Sequence, residues 1–372
     1  MRIVHLSYVM VKEYSDPEIW LRRINFFVLL LEKMSIDHEI ISMHCINYSG
    51  TLRKGNVAYH FLKRSGGAFS LASEVNNYAI GLRPDIIIVH GFHFPLQVLS
   101  LMQKRQRTMS IIIQHHAEQP LRHYKALLQR FVDPCISAYL FTSKDQARPW
   151  VEQGLIASQD KVFEIMEVPS VFLPIDRQKA RLRTGVIERL VYLWVGRFDD
   201  NKDPFTLIKG FISFAISNPD VILYVVFRGG NLLNDVQQFL AQSDLNQKIR
   251  IVGEVSHEDL LYWYNSVDFI ISTSHYEGSG VAVTEGMSCG CIPILTNIHS
   301  FCKMTNNMSF GKFFDPGNVD QLSEALEKTT SLDVVSERKK VLSYYQSTLS
   351  AKAISTGILS VCDRVINISP EK

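Results

Sequence analysis

The sequence predicts an α/β protein of two doubly wound, Rossmann-like domains, each a parallel sheet covered by helices. The chain of 372 residues is longer than one hydrophobic core usually serves. Short β-branched runs alternate with segments of helical periodicity along most of it, which is typical of parallel sheets. The alternation stops between Phe172 and Glu188, in a charged segment that contains proline. We place the domain boundary there.

The first series of elements begins at the N-terminus. A helical pattern follows the first strand, and Asp16 and Pro17 are suited to the N-cap and the first helical position. The stretch 48–67 is polar and is left without an element. Strands are predicted in RIVHLSYVM, HEIISMHCI, DIIIVHG and MSIIIQHH, and helices at 17–34, 73–80, 94–103 and 123–132.

The second series begins with the strand in ERLVYLWVGRF. Further strands are predicted in VILYVVF, RIVGEV, DFIISTS and CIPILTN, and helices in HEDLLYWYNS and VDQLSEALEKT. The predicted domains are residues 1–180 and 181–345, and residues 346–372 form a C-terminal helix that packs back toward the first domain. Two such domains facing each other bring the carboxyl ends of both sheets to one cleft, where open α/β sheets bind ligands.

Composition argues against several classes of protein. Hydrophobic residues make up 46% of the chain and charged residues 20%, so disorder is not expected. The longest apolar runs, at 24–31 and 221–227, are much shorter than the roughly 20 residues that span a bilayer. The N-terminus lacks the pattern of a signal peptide. Six cysteines without a pair of CxxC motifs predict neither a disulfide framework nor a zinc site, and favour a cytoplasmic protein.

The net charge of the chain is small, but the charged residues are unevenly distributed along it. The net charge of +2 argues against a dedicated nucleic-acid binder. Residues 1–180 carry 21 Lys and Arg against 16 Asp and Glu. Basic and apolar residues mix at 104–109 and 122–131, and the second segment has the pattern of a basic amphipathic helix. Peripheral contact with the inner face of a membrane is one interpretation, and an ordinary exposed helix is the other.

The segment HYEGSGVAVTEGMSCG, residues 275–290, combines a glycine-rich loop with the start of a helix. Gly278 and Gly280 let the backbone approach a ligand, and the helix beginning near Val281 offers unpaired N–H groups to a phosphate. Glu277 and Glu285 can both reach the mouth of the same cleft, where carboxylates accept bonds from sugar hydroxyls. An ordinary βα turn with solvated glutamates is the alternative.

A second segment, WVGRFDDNKDP, places Gly196, Arg197 and Lys202 after the first strand of the second domain. Two cations near a helix start can neutralise a diphosphate leaving group. Basic residues on a loop are also common at ordinary protein surfaces, which is the alternative interpretation.

Together the two segments resemble the family 4 glycosyltransferases, retaining enzymes of the GT-B fold. Glu277 and Glu285 meet the family pattern of two glutamates separated by seven residues, and the segment at 196–202 meets its GR and downstream lysine. Phe227–Gly230 looks like its glycine turn, and IVGEV looks like its strand beside the nucleotide base. The glycine pair that many members carry after the first strand is missing between residues 1 and 49, so the acceptor stays open.

The resemblance implies a role for each matched residue. Arg197 and Lys202 would hold the donor diphosphate, Glu285 would bond the ribose, and Glu277 would bond hydroxyls of the transferred sugar. Val255 would contact the base through its backbone. The implied donor site comprises Gly196, Gly229, Val255, Gly278, Ser279, Gly280, Val281, Ala282 and Glu285, with the N–H groups of Val281 and Ala282 directed at the diphosphate.

In the first domain, QHHAEQP follows a strand and looks like the family's histidine at the cleft. That histidine would be His116, facing the sugar near the reacting carbon. Neighbouring His115 would point to the other side of an extended strand, so the two are a poor metal pair. A purely structural histidine is the alternative.

The resemblance implies a retaining enzyme that moves a hexose from a UDP- or GDP-sugar to a hydroxyl of a glycan, lipid-linked or small-molecule acceptor, as in polysaccharide assembly. His116, Arg197, Lys202 and Glu277 would carry the chemistry, with no cofactor and no essential metal. Because a fold does not fix a function, two alternatives stay open. They are a catalytically silent nucleotide- or sugar-binding protein and a nucleotide-sugar epimerase of the same architecture.

Overall fold

A computed structural model of the chain describes residues 1–63, 68–106, 108–116, 118–243 and 246–368. Contacts between Cα atoms divide it into two compact units. One unit is Met1–Glu167 together with the C-terminal segment from Ala351, and the other is Val168–Ser350. Within the described ranges, the structure has no helix that is both long and apolar enough to cross a membrane.

The first unit is a sheet flanked by helices. Its elements are β1 (Arg2–Val11), α1 (Pro17–Arg23), α2 (Asn25–Met34), β2 (Glu39–Ile46), β3 (Gly50–Lys54), β4 (Val57–Leu62), α3 (Ala68–Gly81), β5 (Ile86–His90), α4 (Pro95–Lys104), β6 (Ser110–Gln114), α5 (His123–Val132), β7 (Ala138–Phe141), α6 (Lys144–Glu152) and β8 (Val162–Glu164). The described strands take the order β3-β4-β2-β1-β5-β6-β7-β8. Neighbours are parallel except β3 and β4, which form an antiparallel hairpin.

Two predictions for this unit need correction. The stretch 48–67 contains the hairpin β3-β4, because Val57, Tyr59 and Phe61 bury one face of β4; its residues 64–67 lie outside the described ranges. The helix predicted over 17–34 is two helices, because Ile24 leaves helical geometry at φ −108° and ψ 34°. The predicted N-cap is confirmed, since Asp16 accepts hydrogen bonds from the N–H groups of the first turn.

The two faces of this sheet differ in polarity. One face packs Val4, Leu6 and their neighbours into the main hydrophobic core of the unit. Along β1 the side chains alternate between faces, and His5 lies on the opposite face beside Ser42 of β2. A parallel sheet covered on both sides is usually apolar throughout. The polar face is therefore a feature that needs a structural or functional reason.

The second unit repeats the architecture. Its elements are α7 (Arg177–Thr184), β9 (Leu190–Gly196), α8 (Pro204–Ser217), β10 (Val221–Phe227), α9 (Leu233–Ala241), β11 (Ile249–Gly253), α10 (His257–Ser266), β12 (Phe269–Ser272), α11 (Val281–Ser288), β13 (Ile292–Thr296), α12 (His299–Met304), β14 (Lys312–Phe314), α13 (Val319–Glu327) and α14 (Val334–Tyr344). The described strands are all parallel, in the order β11-β10-β9-β12-β13-β14. The strand order reverses between β9 and β12, so the crevice for a ligand is expected at their carboxyl ends.

The unit boundaries differ from the predicted domain boundaries at 180 and 345. The first change of unit falls at 167/168, because Phe172 is buried in a core of the second unit and Ile175 N–H donates to Asn265 Oδ1 at 2.9 Å. The second falls at 350/351, because residues 345–349 extend α14 as a π-turn. The last helix, α15 (Ala351–Ile368), packs on α2 of the first unit.

Candidate functional site

Two loops at the reversal point of the second sheet are fastened together. They follow β9 and β12, and Asn201 joins them through both ends of its amide. Asn201 Nδ2 donates to the Tyr276 carbonyl at 3.0 Å, and its Oδ1 accepts from Tyr276 N–H at 3.1 Å. Thr273 Oγ1 donates to the Lys202 carbonyl at 2.6 Å. Residues from both loops are therefore held in a fixed relation.

Lys202 and Glu277 meet at this edge. Lys202 Nζ forms an ion pair with Glu277 Oε1. The lysine side chain is 27% exposed and the glutamate 14%, so the pair is partly shielded from water. The sequence predicted that both residues belong to one site, and the structure brings them into contact. A cation and an acceptor of hydroxyl protons lie side by side here.

Arg197 lies at the outer rim of the same loop. Its side chain is 68% exposed, and its Nε is 3.7 Å from Asp199 Oδ2. This weak contact does not fix the guanidinium in place. The Arg197 side chain can therefore reorient toward a charged ligand at the edge of the sheet. Lys202 lies at the same edge.

A glycine turn after β10 packs against the loop that carries Arg197. Phe198 is fully buried and stacks on Phe227 with ring centroids 4.5 Å apart. Phe198 N–H donates to the Gly229 carbonyl at 3.0 Å. Gly230 has φ +131°, and a Cβ there would lie 2.2 Å from the Phe198 carbonyl oxygen. Gly230 therefore lets two backbones touch, and Phe198 anchors the loop in the core.

The helix α11 begins at this edge without a side-chain cap. Gly280 is its N-cap at φ +56°, where a Cβ would come within 2.5 Å of the Phe301 ring. The N–H groups of Val281 and Ala282 belong to the first turn and have no acceptor inside the helix. Gly278 is half-buried and Ser279 is buried just before the cap. The arrangement suits an anion, which the positive end of the helix dipole attracts.

Glu285 is buried inside α11 and is held by two side chains of α10. Its Oε1 is 2.8 Å from His257 Nε2, and its Oε2 accepts a hydrogen bond from the Tyr264 hydroxyl at 3.0 Å. Burial and the adjacent Glu285 carboxylate raise the pKa of Tyr264 well above its ordinary value, so the phenol remains a donor. Half-buried Val255 precedes α10 by two residues.

In the first unit, His116 follows the end of β6. Its Nδ1 contacts Glu167 Oε1, its backbone N–H donates to Glu118 Oε2 at 2.6 Å, and its Nε2 is 3.0 Å from His90 Nδ1. Burial acts to lower the pKa of His116. The charge and the hydrogen bond of Glu167, together with the charge of Glu118, act in the opposite direction and outweigh burial, so the pKa is raised. This environment favours the protonated form of the imidazole more than water does.

His115 lies on the other side of the chain. It is 2% exposed and stacks on Phe141 with ring centroids 4.4 Å apart. Burial lowers its pKa, against the influence of Glu118. This packing is that of a structural histidine.

Several residues of the site could not be found from local motifs. Asn201 fastens the two loops, His257 and Tyr264 position Glu285, and Glu167 pairs with His116. His257 and Tyr264 lie 28 and 21 positions before Glu285. Glu167 lies 51 positions after His116. No spacing rule for a helix or strand connects residues so far apart, so only the folded chain shows these contacts.

Metal ligation has little support in the part of the chain that the structure describes. No group of three or more His, Cys, Asp and Glu side chains there is arranged to hold a metal ion. The cysteines at 45, 135, 289, 291, 302 and 362 are free thiols.

Comparison with known proteins finds a family that matches the second unit and similar proteins that match part of the chain. Residues 176–347 match the family described as Glycosyl transferases group 1. Mannosylfructose-phosphate synthase of Agrobacterium fabrum is 30% identical over 42% of this chain and 37% of its own length. GDP-mannose:cellobiosyl-diphosphopolyprenol alpha-mannosyltransferase of Xanthomonas oryzae is 25% identical over 42% of this chain and 41% of its own. The chain thus matches about two fifths of the length of these relatives.

Comparison with solved structures covers nearly the whole chain. HepE from Anabaena, solved in complex with UDP, matches 98% of this chain and all of its own with a TM-score of 0.73 at 13% identity. At this identity the likeness shows the fold alone, and the predicted GT-B fold is confirmed.

Proposed function

We propose that the chain is a retaining glycosyltransferase, because residues 176–347 match the family Glycosyl transferases group 1. It moves a hexose from a UDP- or GDP-sugar to a hydroxyl of a glycan, lipid-linked or small-molecule acceptor. The observation that carries the proposal is the Lys202–Glu277 ion pair at the reversal point of the second sheet, on loops that lead to α8 and α11.

The proposed donor diphosphate lies between Lys202, Arg197 and the start of α11. Negative charge grows on the leaving diphosphate as its bond to the sugar breaks. Preformed cations and N–H groups stabilise that charge most effectively where water is partly excluded. Lys202 is already oriented by Glu277, while exposed Arg197 closes on the phosphates from the rim. The N–H groups of Val281 and Ala282 complete the proposed cradle.

The two glutamates take different parts of the donor. Glu277 lies beside the cation and accepts hydrogen bonds from hydroxyls of the transferred sugar. Glu285 lies deeper, and its carboxylate is oriented by His257 and Tyr264 to accept bonds from the ribose. Val255, two residues before His257, offers its backbone to the base. Gly196, Gly229, Gly278, Ser279 and Gly280 let the backbone come close to the ligand.

His116 is the proposed contribution of the first unit. Its Nε2 exchanges the contact with His90 for a hydroxyl of the sugar near the reacting carbon, while Glu167 holds Nδ1 and fixes the orientation of the ring. No cofactor and no essential metal enter the proposal, because the charge on the leaving group is balanced by side chains and backbone. A cytoplasmic location and a role in polysaccharide assembly are part of the same proposal.

The names of similar proteins contain two different donor nucleotides, GDP and UDP. The name of the Xanthomonas relative includes GDP-mannose, and the Anabaena structure is in complex with UDP. We therefore propose a UDP- or GDP-sugar and test both. Melting of the protein is measured with UDP-, GDP- and ADP-sugars while released nucleotide is assayed. A ligand at 100 times its dissociation constant adds about 2.7 kcal/mol to the free energy of unfolding.

Two variants make that experiment specific. Glu285→Ala is expected to lose the melting shift, whereas Glu277→Gln keeps a shift with the free nucleotide and loses sugar transfer. A shift without sugar transfer or donor hydrolysis favours the silent binding protein, and epimerised donor favours the epimerase. Absence of any shift contradicts the proposed donor site.

A second proposal concerns α5, whose exposed side is apolar and basic. Tyr124, Leu127 and Phe131 are 64%, 65% and 67% exposed and are spaced to share one side of the helix. Arg122 and Arg130 are exposed beside them. Large apolar side chains flanked by positive charge suit the interface of an anionic lipid bilayer. We infer peripheral contact of α5 with such a membrane; Arg107, in the predicted basic segment 104–109, lies outside the described residues.

Co-sedimentation with vesicles tests this contact. We expect the protein to bind vesicles that contain phosphatidylglycerol and not vesicles of phosphatidylcholine alone. Leu127→Ser with Phe131→Ser should abolish binding, and Arg122→Glu should weaken it in a salt-dependent way. Ile216→Ser, at an exposed apolar residue of α8 in the second unit, is the matched control. Equal binding by the double variant contradicts the contact.

A further inference from the structure

Glu118 lies beside His116, and its side chain is only 6% exposed. Its Oε2 accepts a hydrogen bond from the backbone N–H of His116 at 2.6 Å, and its Oε1 accepts one from the backbone N–H of Phe92 at 2.8 Å. His116 and Phe92 each lie two residues beyond a strand, after β6 and β5. One buried carboxylate therefore joins two loops at the carboxyl edge of the first sheet.

The hydrogen bonds of the sheet explain why these two N–H groups need such a partner. The N–H groups of Gly91 and His115 still donate to carbonyls of neighbouring strands, at 2.8 and 2.9 Å. At Phe92 and His116, the next residue of each loop, the acceptor is Glu118 instead of a strand. Backbone N–H groups that are removed from water require an acceptor. The Glu118 carboxylate thus continues the work of the sheet beyond the strand ends.

Gly91 leaves room for this carboxylate. Its φ is +92°, in the left-handed region, and a Cβ there would lie 2.8 Å from Glu118 Oε1. That distance is well inside ordinary van der Waals contact. A side chain at position 91 would therefore displace the end of the Glu118 side chain.

A second carboxylate holds the ring of His116. Glu167 Oε1 contacts His116 Nδ1, and His116 Nε2 lies 3.0 Å from His90 Nδ1. His90 Nε2 in turn lies 3.0 Å from His5 Nδ1, so a chain of imidazoles runs from His116 into the sheet. Because Glu167 occupies Nδ1, Nε2 is the nitrogen of His116 that a ligand can take over from His90.

The charges around His116 favour a proton on its ring. Against the effect of burial, Glu167 and then Glu118 raise the pKa of His116. The other titratable groups beside it are His90 and His115, whose pKa values burial lowers, so they are uncharged at neutral pH. A protonated imidazole carries a hydrogen on Nε2 and donates it to an oxygen. A sugar hydroxyl offers such an oxygen.

We propose that Glu118 is a positioning residue for His116, which meets a sugar hydroxyl as an imidazolium whose Nε2–H donates. This role rests on the proposed function of the chain as a glycosyltransferase. Glu118 fixes the backbone of His116, Glu167 fixes its ring, and both charges favour the protonated form. Because the imidazolium is the donor, sugar transfer should decline as pH rises and His116 loses its proton.

The titration of His116 tests this role without any substrate. In the full chain, its ring resonance is followed by NMR against pH and identified by its loss in His116→Gln. Glu118→Gln should move the midpoint lower by roughly one pH unit, because it removes a nearby negative charge. Gly91→Ala should move it in the same direction, because its Cβ displaces the carboxylate.

Two further variants are controls for this titration. Glu118→Asp keeps the charge on a shorter side chain, so its midpoint should stay closer to that of the wild type. Glu152→Gln removes an exposed glutamate at the end of α6 in the same unit and should leave the midpoint unchanged.

The pH dependence of sugar transfer tests the functional part. The limb on which kcat falls with rising pH should move lower in Glu118→Gln by as much as the midpoint does. The KM for the donor should change little, because the proposed donor contacts lie in the second unit. A purely structural role would instead lower kcat at every pH and leave the limb in place.

Unchanged midpoints in Glu118→Gln and Gly91→Ala would overturn the positioning role, and two variants are used because one of them can fail to fold. A lower midpoint without a matching change in the kcat profile would overturn the role of the imidazolium. Failure of the proposed function is recognised separately, as absence of sugar transfer by the wild type. The role of Glu118 in transfer then falls with it, while the titration still decides whether Glu118 acts on His116.

Discussion

Lys202 and Glu277 form an ion pair although 75 positions separate them in the chain. Each reaches the edge of the second sheet on its own loop, after β9 and β12. Asn201 fixes the distance between these loops by its two bonds to Tyr276. Because both side chains are partly shielded, the pair keeps a cation and a carboxylate in place before any ligand arrives.

Replacing the cation tests its role in the departure of the diphosphate. Lys202→Met should lower kcat roughly 10²- to 10³-fold, as loss of one charge-stabilising donor does in other enzymes, and should change KM less. Steady-state kinetics of nucleotide release measure both. Lys202→Arg retains the charge and should lose less. Full kcat in Lys202→Met, with an unchanged melting temperature, contradicts the assignment.

The contacts of Glu285 separate ligand binding from support of the helix. Glu285→Gln should weaken nucleotide binding roughly 10- to 100-fold, since hydrogen bonds to a charged group contribute about 1.5–3 kcal/mol. Calorimetric titration with UDP and GDP measures the change. Tyr264→Phe removes one bond to the same carboxylate and leaves its charge, so it should reduce stability more than affinity. Equal losses of affinity in both variants would show that positioning alone accounts for the effect.

The glycine turn after β10 offers a matched pair of substitutions. Gly230→Ala places a Cβ 2.2 Å from the Phe198 carbonyl oxygen at φ +131°, whereas Gly229→Ala meets nothing within 4 Å at φ +61°. We expect Gly229→Ala to cost about 1–2 kcal/mol, the penalty of a left-handed alanine, and Gly230→Ala distinctly more. Urea denaturation measures both. Similar costs would mean that the close approach to Phe198 relaxes easily.

Sequence patterns predicted the parts of this fold that depend on neighbours along the chain. The alternation of β-branched runs and helices indicated both sheets, and Asp16 indicated a helix start that its bonds to the first turn confirm. The hairpin of β3 and β4 was missed because its polar, exposed residues mask the buried ones. The domain boundary was placed too late because Phe172 packs against residues far along the chain.

The residues of the candidate site also fall into those that local motifs predicted and those that they did not. Glycines, glutamates and cations at fixed spacings indicated Lys202, Glu277 and Glu285, and the structure brings Lys202 and Glu277 into contact. The residues that orient them gave no signal, because Asn201, His257 and Tyr264 act across the fold. The imidazole chain from His116 to His5 was also invisible, since its members lie on three different strands or strand ends.

Burial of uncharged histidines predicts that the protein loses stability in mild acid. The pKa of His5 is lowered to about 3 and that of His44 to about 4, mainly by burial. Below the unfolded value of about 6.5, the unfolded chain binds protons that the folded chain refuses, so the free energy of unfolding falls as pH falls. From pH 7.5 to 5.5, each of these histidines should cost about 1.4 kcal/mol. Urea denaturation at the two pH values measures the total change, to which the other histidines with shifted pKa values also contribute.

One histidine works in the opposite direction. The raised pKa of His116 stabilises the fold at low pH, and that contribution is lost as pH rises through its folded value. Burial also lowers the pKa values of His90 and His115, which add to the acid loss, so single substitutions and not the total separate the contributions. His44→Gln should reduce the loss between pH 7.5 and 5.5 by about 1.4 kcal/mol, while His93→Gln, at an exposed histidine of the same unit, should keep it. An unchanged loss in His44→Gln would mean that His44 takes up its proton in the folded chain.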